Sequence, residues 1–388
     1  MKVNYISAYS AVPSKAASSF HVMKMCDAYL NNNIEVTLFV SNNGDSSMLN
    51  GESIKNIYSI ENKFKIKRLP VNYLSKFQKL FSLSILFPFY AFFNRSSLVH
   101  SRTLISAYVL SKIFCQPVIF ELHDAVWKNN KSKFFFKSLV RSKNCKFLIS
   151  ITSALANDAI SIIGNSKPIL ILPDGVSQKS LNTINDKYDS RKRLGLNRDD
   201  YIVLYSGHLY RGRGIDLIIN LSEKLPNFKF ILLGGNDLDI NYYQEITTNL
   251  KNIEFLGFKT QDILIEFLNA SDALLMPYEN KVNVAGINDS DTSKYASPLK
   301  MFEYMATGRP IISSTLNVLS EILHHNYNAL MVPYDDVNGW VNALELLKNN
   351  PEIGKRIADQ AKEDVWQYTW EERVKKIMRF YNSVNDAK

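Results

Sequence analysis

Short apolar runs alternate with longer amphipathic segments along this 388-residue chain. Val3–Ile6, Glu35–Val40, Ile66–Leu69, Pro117–Glu121, Lys146–Ile151 and Ile169–Leu172 are brief enough, and rich enough in β-branched and aromatic residues, to predict strands. Ala17–Leu30 and Ser153–Ile162 carry helical spacing instead. Pro173-Asp174-Gly175 stops the last of these strands, and residues 176–200 are polar and strand-poor, as expected of an interdomain connection. The pattern then restarts. Tyr201–Tyr205, Phe228–Leu233, Ile253–Phe255, Ala273–Met276, Pro310–Ser313 and Ala329–Val332 are predicted strands. Ile215–Leu225, Ile263–Ala270 and Pro298–Thr307 are predicted helices. Strand–helix repeats of this length predict an α/β chain with two Rossmann-like, doubly wound parallel domains facing a cleft. The boundaries fall at 1–175 and 176–388. A closing aromatic and charged helix over 365–388 is expected to cross back. Ligands of such sheets sit beyond the carboxyl ends of the strands, so the residues after each strand are where chemistry is sought.

Composition narrows the class. Hydrophobic residues make up 46% and aromatic residues 12% of the chain, which excludes a disordered polymer. Cys26, Cys115 and Cys145 are odd in number and include no CxxC pair. That speaks against a disulfide framework or structural zinc and for a reducing compartment. The net charge of +9 is unevenly laid out: residues 1–180 hold 22 Lys/Arg against 9 Asp/Glu, and the remainder 24 against 28. A basic half points to an anionic partner: nucleic acid, a membrane face or a phosphorylated acceptor. Met1–Ser7 alternates like a strand and does not read as a signal peptide. Leu80–Phe93 is the most apolar stretch, but it contains Pro88 and falls short of the ~20 residues a spanning helix needs.

Three motifs follow strands. Ser206-Gly207-His208-Leu209-Tyr210-Arg211-Gly212-Arg213-Gly214 joins a strand to a helix. Its glycines let backbone N–H groups approach a phosphate, and Arg211 and Arg213 offer charge-assisted bonds. It matches neither a GxGxxG fingerprint nor a Walker A loop. In Ser297-Pro298-Leu299-Lys300-Met301-Phe302-Glu303, Ser297 is the expected N-cap and Pro298 the first helical residue. Lys300 and Glu303 share a face, either as an ion pair or as a phosphate and ribose grip. In Glu121-Leu122-His123-Asp124, a strand-end histidine beside a carboxylate can orient a substrate or move a proton. His100, His324 and His325 read as structural or solvated.

Together these stretches resemble family 4 glycosyltransferases, whose two-domain fold is called GT-B. SPLKMFEYMATGRPIISS resembles the signature helix of a branch with an SPLK–FEYMA–G–P pattern. SGHLYRGRGIDLIINLSEKLPNFKFILLGGN resembles the donor-diphosphate loop, and SDALLMPY, NIEFLGF, ILPDGV and ELHD follow in register over nearly the whole chain. The resemblance implies a retaining, metal-independent transfer of a sugar from a nucleotide-diphosphate donor, with no cofactor. It implies that Glu303 holds ribose hydroxyls and Arg213 the diphosphate. Ser297, Pro298 and Leu299, with Lys300, would lie near phosphates and sugar, and His123 near the transferred sugar. Gly207 and Phe258 match positions beside phosphates and base. His123, Glu303 and Arg213 are the implied catalytic set. Gly207, His208 and Arg211 join the donor set. Departures are Tyr295 where the motif's first Glu would fall and His208 where a basic residue is common. The N-terminal loop lacks the usual double glycine, and Lys15, Ser18 and Ser19 are read there as acceptor contacts or as a helix cap. Asp289-Ser290-Asp291 has the letters of a metal pair but lies in a polar loop, and no metal site is expected.

Two segments account for the basic half. Residues 76–93 place Lys76 and Lys79 before aromatic and aliphatic residues. Residues 127–146 mix Lys128, Lys131, Lys133, Lys137, Arg141, Lys143 and Lys146 with Phe134, Phe135 and Phe136. Such segments suit peripheral contact with an anionic membrane, or else a buried aromatic helix with a solvated lysine face. Nucleic acid fits poorly, because the aromatics cluster with aliphatics rather than standing as stacking platforms. The expected setting is cytoplasmic, at the inner face of the cell membrane, with a glycan or lipid-linked acceptor. An epimerase or hydrolase on the same fold, and a non-catalytic partner subunit, are the alternative readings.

Overall fold

The computed structural model describes residues 1–45, 53–71, 75–182, 186–281 and 293–386. The chain divides into two compact units, Met1–Ser177 with Trp370–Lys388, and Gln178–Thr369. The first unit holds seven strands: β1 (Lys2–Ala11), β2 (Glu35–Ser41), β3 (Lys65–Leu69), β4 (Leu98–Ser101), β5 (Val118–Leu122), β6 (Cys145–Ser150) and β7 (Ile169–Ile171). Their order is β3-β2-β1-β4-β5-β6-β7, and every pairing is parallel. The second unit holds β8 (Tyr201–Ser206), β9 (Phe228–Leu233), β10 (Ile253–Phe255), β11 (Ala273–Met276), β12 (Ile311–Ser314) and β13 (Leu330–Val332), ordered β10-β9-β8-β11-β12-β13. Helices cover both faces, so the central strands are buried almost throughout, as in β5 and β11.

The strand order reverses between β1 and β4 in one sheet and between β8 and β11 in the other. In open α/β sheets ligand crevices form outside the carboxyl ends of the strands at such points. This puts Gly207, after β8, and Pro277-Tyr278, after β11, at one switch point. Arg102, after β4, lies at the other, with His123 one strand further along, after β5.

Three segments depart from expectation. β4 and the Leu104–Lys112 helix lie in a stretch with too few patterned residues to be foreseen. The polar run 176–200 carries a helix, Lys187–Leu194, capped by the Asp186 carboxylate at the backbone N–H groups of Tyr188 and Asp189. Its buried Arg191 donates to Ala270 O at 2.9 Å and to Asp272 Oδ2 at 2.6 Å, so polar ties rather than apolar faces hold it in the second unit. The closing segment is a short 3-10 turn, Val365–Tyr368, and then a helix, Trp370–Asp386, that packs in the first unit against the Ala17–Asn31 helix and β6.

Residues 76–93 form one helical run with a π turn, Ser82–Leu86, just before Pro88, whose ring lacks the N–H an α-turn needs. Leu83, Phe87 and Ala91, spaced by one turn, are buried. Leu80, Phe81, Ile85, Phe89, Tyr90 and Phe93 are exposed. Among the described residues no helix is long and apolar enough to cross a membrane.

Candidate active site

In the second unit the site is built on the end of β8. Gly207 adopts φ +141°, and a Cβ there would lie 2.8 Å from Lys300 Nζ. The Leu299–Ala306 helix runs in behind it, with Met301, Phe302, Tyr304 and Met305 buried. Tyr304 fixes the register between helix and strand: its hydroxyl accepts from Ser206 N at 2.8 Å. The helix begins one residue later than expected. Pro298 is the N-cap, with extended backbone, and no side chain caps the turn, so Ser297 is not the cap.

Two cations converge here. The Lys300 side chain is buried, with Nζ 3.8 Å from the Tyr205 ring centre and 5.0 Å from that of Tyr278. The Arg213 guanidinium lies 4.9 Å from the Tyr210 ring centre and 5.0 Å from that of Tyr278, and its Nη2 donates to Tyr210 Oη at 2.7 Å. Among the described residues, Lys300 Nζ and Arg213 Nε are both buried and lack a hydrogen-bond partner. The ring faces supply electrostatic attraction but no acceptor oxygens. Burial foremost, and then Arg213, push the Lys300 ammonium well below its ordinary range, and Glu303 opposes this. His208 stacks on Tyr210 and is pushed down to about 4 by burial, Arg213 and Lys300. It is therefore neutral at pH 7, which leaves Arg213 and Lys300 as the basic side chains of this cluster.

Lys300 makes no hydrogen bond to Glu303. Glu303 Oε1 instead accepts from Gln261 Nε2 at 2.7 Å. Arg211 is exposed, and Phe258 and Tyr295 are half-buried. Residues 289–291 lie outside the described residues.

In the first unit, His123 stands two residues beyond Glu121, on the same side of the extended chain. Its Nε2 lies 2.7 Å from Glu121 Oε1. Glu121 is only 1% exposed. The same oxygen accepts from Arg373 Nη2 at 2.8 Å and lies 3.3 Å from His21 Nε2, while Oε2 lies 2.6 Å from His100 Nε2. His21 Nδ1 reaches Asp174 Oδ1 at 2.9 Å. Burial opposes ionisation of Glu121, but Arg373, then His21 and His123, outweigh it and hold the carboxyl well below its usual range. His100 is buried and also pairs with Tyr29, which bears out its structural reading.

Ser19 is buried, with its hydroxyl 2.5 Å from that of Tyr58, so it faces the interior rather than an acceptor. Ser18 is half-buried and Lys15 exposed. Neither serine caps the helix, whose N-cap is Ala16 without a side-chain bond. His21, His123 and Asp174 each offer a ligand atom within 4.8 Å of the others, a geometry a metal could use. Hydrogen bonds already engage His21 with Asp174 and His123 with Glu121. Glu121 was visible in sequence as the first letter of ELHD. Arg373, 252 positions away, carried no signal at all.

Two Rossmann-like units, each with a polar cluster at its strand ends, define the GT-B architecture, and comparison with known proteins makes this a transferase enzyme of the glycosyltransferase class. Residues 186–364, most of the second unit, match the family described as glycosyl transferases group 1. An uncharacterized glycosyltransferase of Methanocaldococcus jannaschii is 24% identical over 280 residues, covering 70% of this chain and 69% of that protein. The alpha-galactosylglucosyldiacylglycerol synthase of Streptococcus pneumoniae is 23% identical over 265 residues, covering 65% and 66%. Among solved structures, Anabaena HepE in complex with UDP and glucose superposes with a TM-score of 0.71 at 15% identity, covering 98% of this chain and 99% of that one.

Proposed function

We propose that the protein is a retaining, metal-independent glycosyltransferase that moves a sugar from a nucleotide-diphosphate donor, bound by the second unit, to an acceptor bound by the basic first unit. The observation that carries this reading is the pair of buried, hydrogen-bond-deficient cation atoms, Lys300 Nζ and Arg213 Nε, beside Gly207 at the β8 switch point. A buried cation without an acceptor oxygen is costly, and a diphosphate supplies several. As the sugar–oxygen bond to the leaving diphosphate breaks, charge grows on the phosphate oxygens, where Arg213, Lys300 and the N-terminus of the 299–306 helix stabilise it. The acceptor hydroxyl attacks the same face, and its proton passes to the departing phosphate oxygen. Glu303 grips the ribose hydroxyls.

The acceptor in this reading is a lipid-linked or surface-polysaccharide intermediate met at the cytoplasmic membrane face. The exposed apolar face of residues 80–93, next to the basic excess, supports it. So does the likeness to a synthase named for a galactosylglucosyldiacylglycerol.

Titration of the full chain with UDP tests the donor site, and donor turnover tests the roles. Arg213→Ala and Glu303→Ala are each expected to cut turnover by about tenfold or more with the melting temperature kept. Wild-type rates in both variants would sink the assignment. An anomeric configuration inverted in the product, or activity abolished by EDTA and restored by a divalent ion, would overturn retention or metal independence respectively.

A further inference from the structure

We infer that Glu121, held in place by Arg373 of the closing helix, is a positioning residue that keeps the proton of His123 on Nε2 and so offers the Nδ1 lone pair to a substrate hydroxyl. The inference rests on the reading that His123 lies at the sugar-transfer site, and it names what that residue does there.

The geometry leaves little freedom. An ionised carboxylate only accepts hydrogen bonds, so the 2.7 Å contact from His123 Nε2 to Glu121 Oε1 requires a proton on Nε2. A neutral imidazole protonated at Nε2 has its acceptor at Nδ1. His123 is neutral: burial first, and then the nearby charge of Arg102, push it down to about 3. Its side chain keeps 21% exposure, whereas those of Glu121 and Arg373 keep 0% and 3%. The contact to Glu121 fixes the Nε2 end of the ring, and among the described residues Nδ1 makes no hydrogen bond. A group so hard to protonate is a poor proton carrier at neutral pH. It is a hydrogen-bond acceptor, and the chemistry it recognises is a hydroxyl donor, as on a sugar.

Arg373 makes Glu121 a reliable anchor. Its Nη2 donates to Glu121 Oε1 at 2.8 Å and to Leu172 O at 3.1 Å, and its Nε donates to Pro173 O at 2.9 Å. The guanidinium thereby ties the closing helix to the chain after β7 and neutralises a carboxylate that burial would otherwise tend to protonate. A protonated Glu121 could donate to His123 and allow the opposite tautomer. His21, His100 and Tyr5 are the remaining groups facing this carboxylate, with Tyr5 Oη 3.4 Å from Oε2.

The test is the nitrogen-15 NMR spectrum of the histidine-labelled full chain between pH 5 and 8, with the His123 signals assigned by their loss in His123→Gln. The expected spectrum shows the Nε2-protonated tautomer across that range. Glu121→Gln, whose amide can donate as well as accept, is expected to mix or invert the tautomer while the other folded signals persist. An Nδ1-protonated or imidazolium His123 in the wild type would falsify the inference, as would an unchanged His123 in a folded Glu121→Gln. Should that variant not fold, Glu121→Asp draws the carboxylate back by one methylene, and an unchanged tautomer there is equally fatal. Arg373→Lys keeps the charge and is expected to preserve the tautomer. None of these spectra depends on sugar transfer, so a failed UDP titration and a failed tautomer assignment are separate results.

Discussion

The Lys300 ammonium lies 3.8 Å from the centre of the Tyr205 ring, buried, with no oxygen among the described residues to accept its protons. Ring attraction repays only part of the desolvation, about 0.5–2 kcal/mol against several for an ion taken out of water. Replacing it by methionine removes that cost and keeps the volume. Lys300→Met is therefore expected to melt at the same temperature or higher while binding UDP at least about tenfold more weakly, one charge-assisted bond being worth ~1.5–3 kcal/mol. Calorimetry and a thermal shift on the same samples check both halves. Because the folded-state value lies below the ordinary 10.5, the unfolded chain binds more protons between the two, so this residue's contribution makes stability rise with pH there. The methionine variant should lose that slope.

His208 gives the matching acid-side effect. Its folded value is pushed down to about 4 from an ordinary 6.5. Between those values the unfolded chain takes up a proton that the folded chain refuses, so stability falls as pH drops through the window. His208→Asn should melt with a shallower dependence on pH from 6.5 to 4 than the wild type. Parallel curves for the two proteins would show that His208 titrates alike in the folded and unfolded chains, with no depressed folded value.

Much of this arrangement was legible in sequence, and what was missed has physical reasons. The strand ends carrying Gly207, His123 and Met276 follow continuous apolar runs that only buried parallel strands require. β4 escaped notice because LVHS offers two apolar residues and no turn signal. The 187–194 helix escaped because polar ties hold it, with Arg191 buried at 2% exposure. The Lys300–Tyr205 and Glu121–Arg373 contacts join residues about a hundred or more positions apart, and local pattern says nothing about such pairs. The letters SPLK and ELHD marked where to look without revealing that a ring face backs the lysine or that an arginine from the last helix backs the carboxylate.

Gly214 shows how tightly the donor loop is built. It adopts φ +73°, and a Cβ would come within 1.9 Å of Pro277 O, an immovable backbone atom at the end of β11. Gly214→Ala therefore combines left-handed strain with a steric collision and must displace one of the two loops at the switch point. The expected loss is about 2 kcal/mol or more, read by denaturant unfolding, with UDP binding weakened in parallel because Arg213 is the adjacent residue. An unaltered midpoint would mean that the loops give way freely.

The 76–93 run supplies the test of membrane contact. One side, Leu83, Phe87 and Ala91, is packed, and the other displays Leu80, Ile85, Phe89 and Phe93, the last at 64% exposure. Phe134 adds an exposed ring on the Asn130–Val140 helix, where Phe136 is buried and Phe135 packs on Tyr108. Of that aromatic triplet, Phe134 is therefore the ring left exposed, and the one a membrane contact would use. Burying an exposed large apolar side chain contributes about 1.5–3 kcal/mol, and each basic residue near an anionic leaflet about 1 kcal/mol. The triple variant Ile85→Ser, Phe89→Ser, Phe93→Ser changes solvent-facing positions and is expected to keep the melting temperature. It should nonetheless float with phosphatidylglycerol-containing liposomes at a small fraction of the wild-type recovery. Neutral liposomes should recover less wild-type protein than anionic ones, and added salt should narrow that gap by screening the lysines. Equal recovery with both lipid compositions, or undiminished recovery of the triple variant, removes the membrane from the acceptor's address and leaves the basic half to a soluble phosphorylated acceptor.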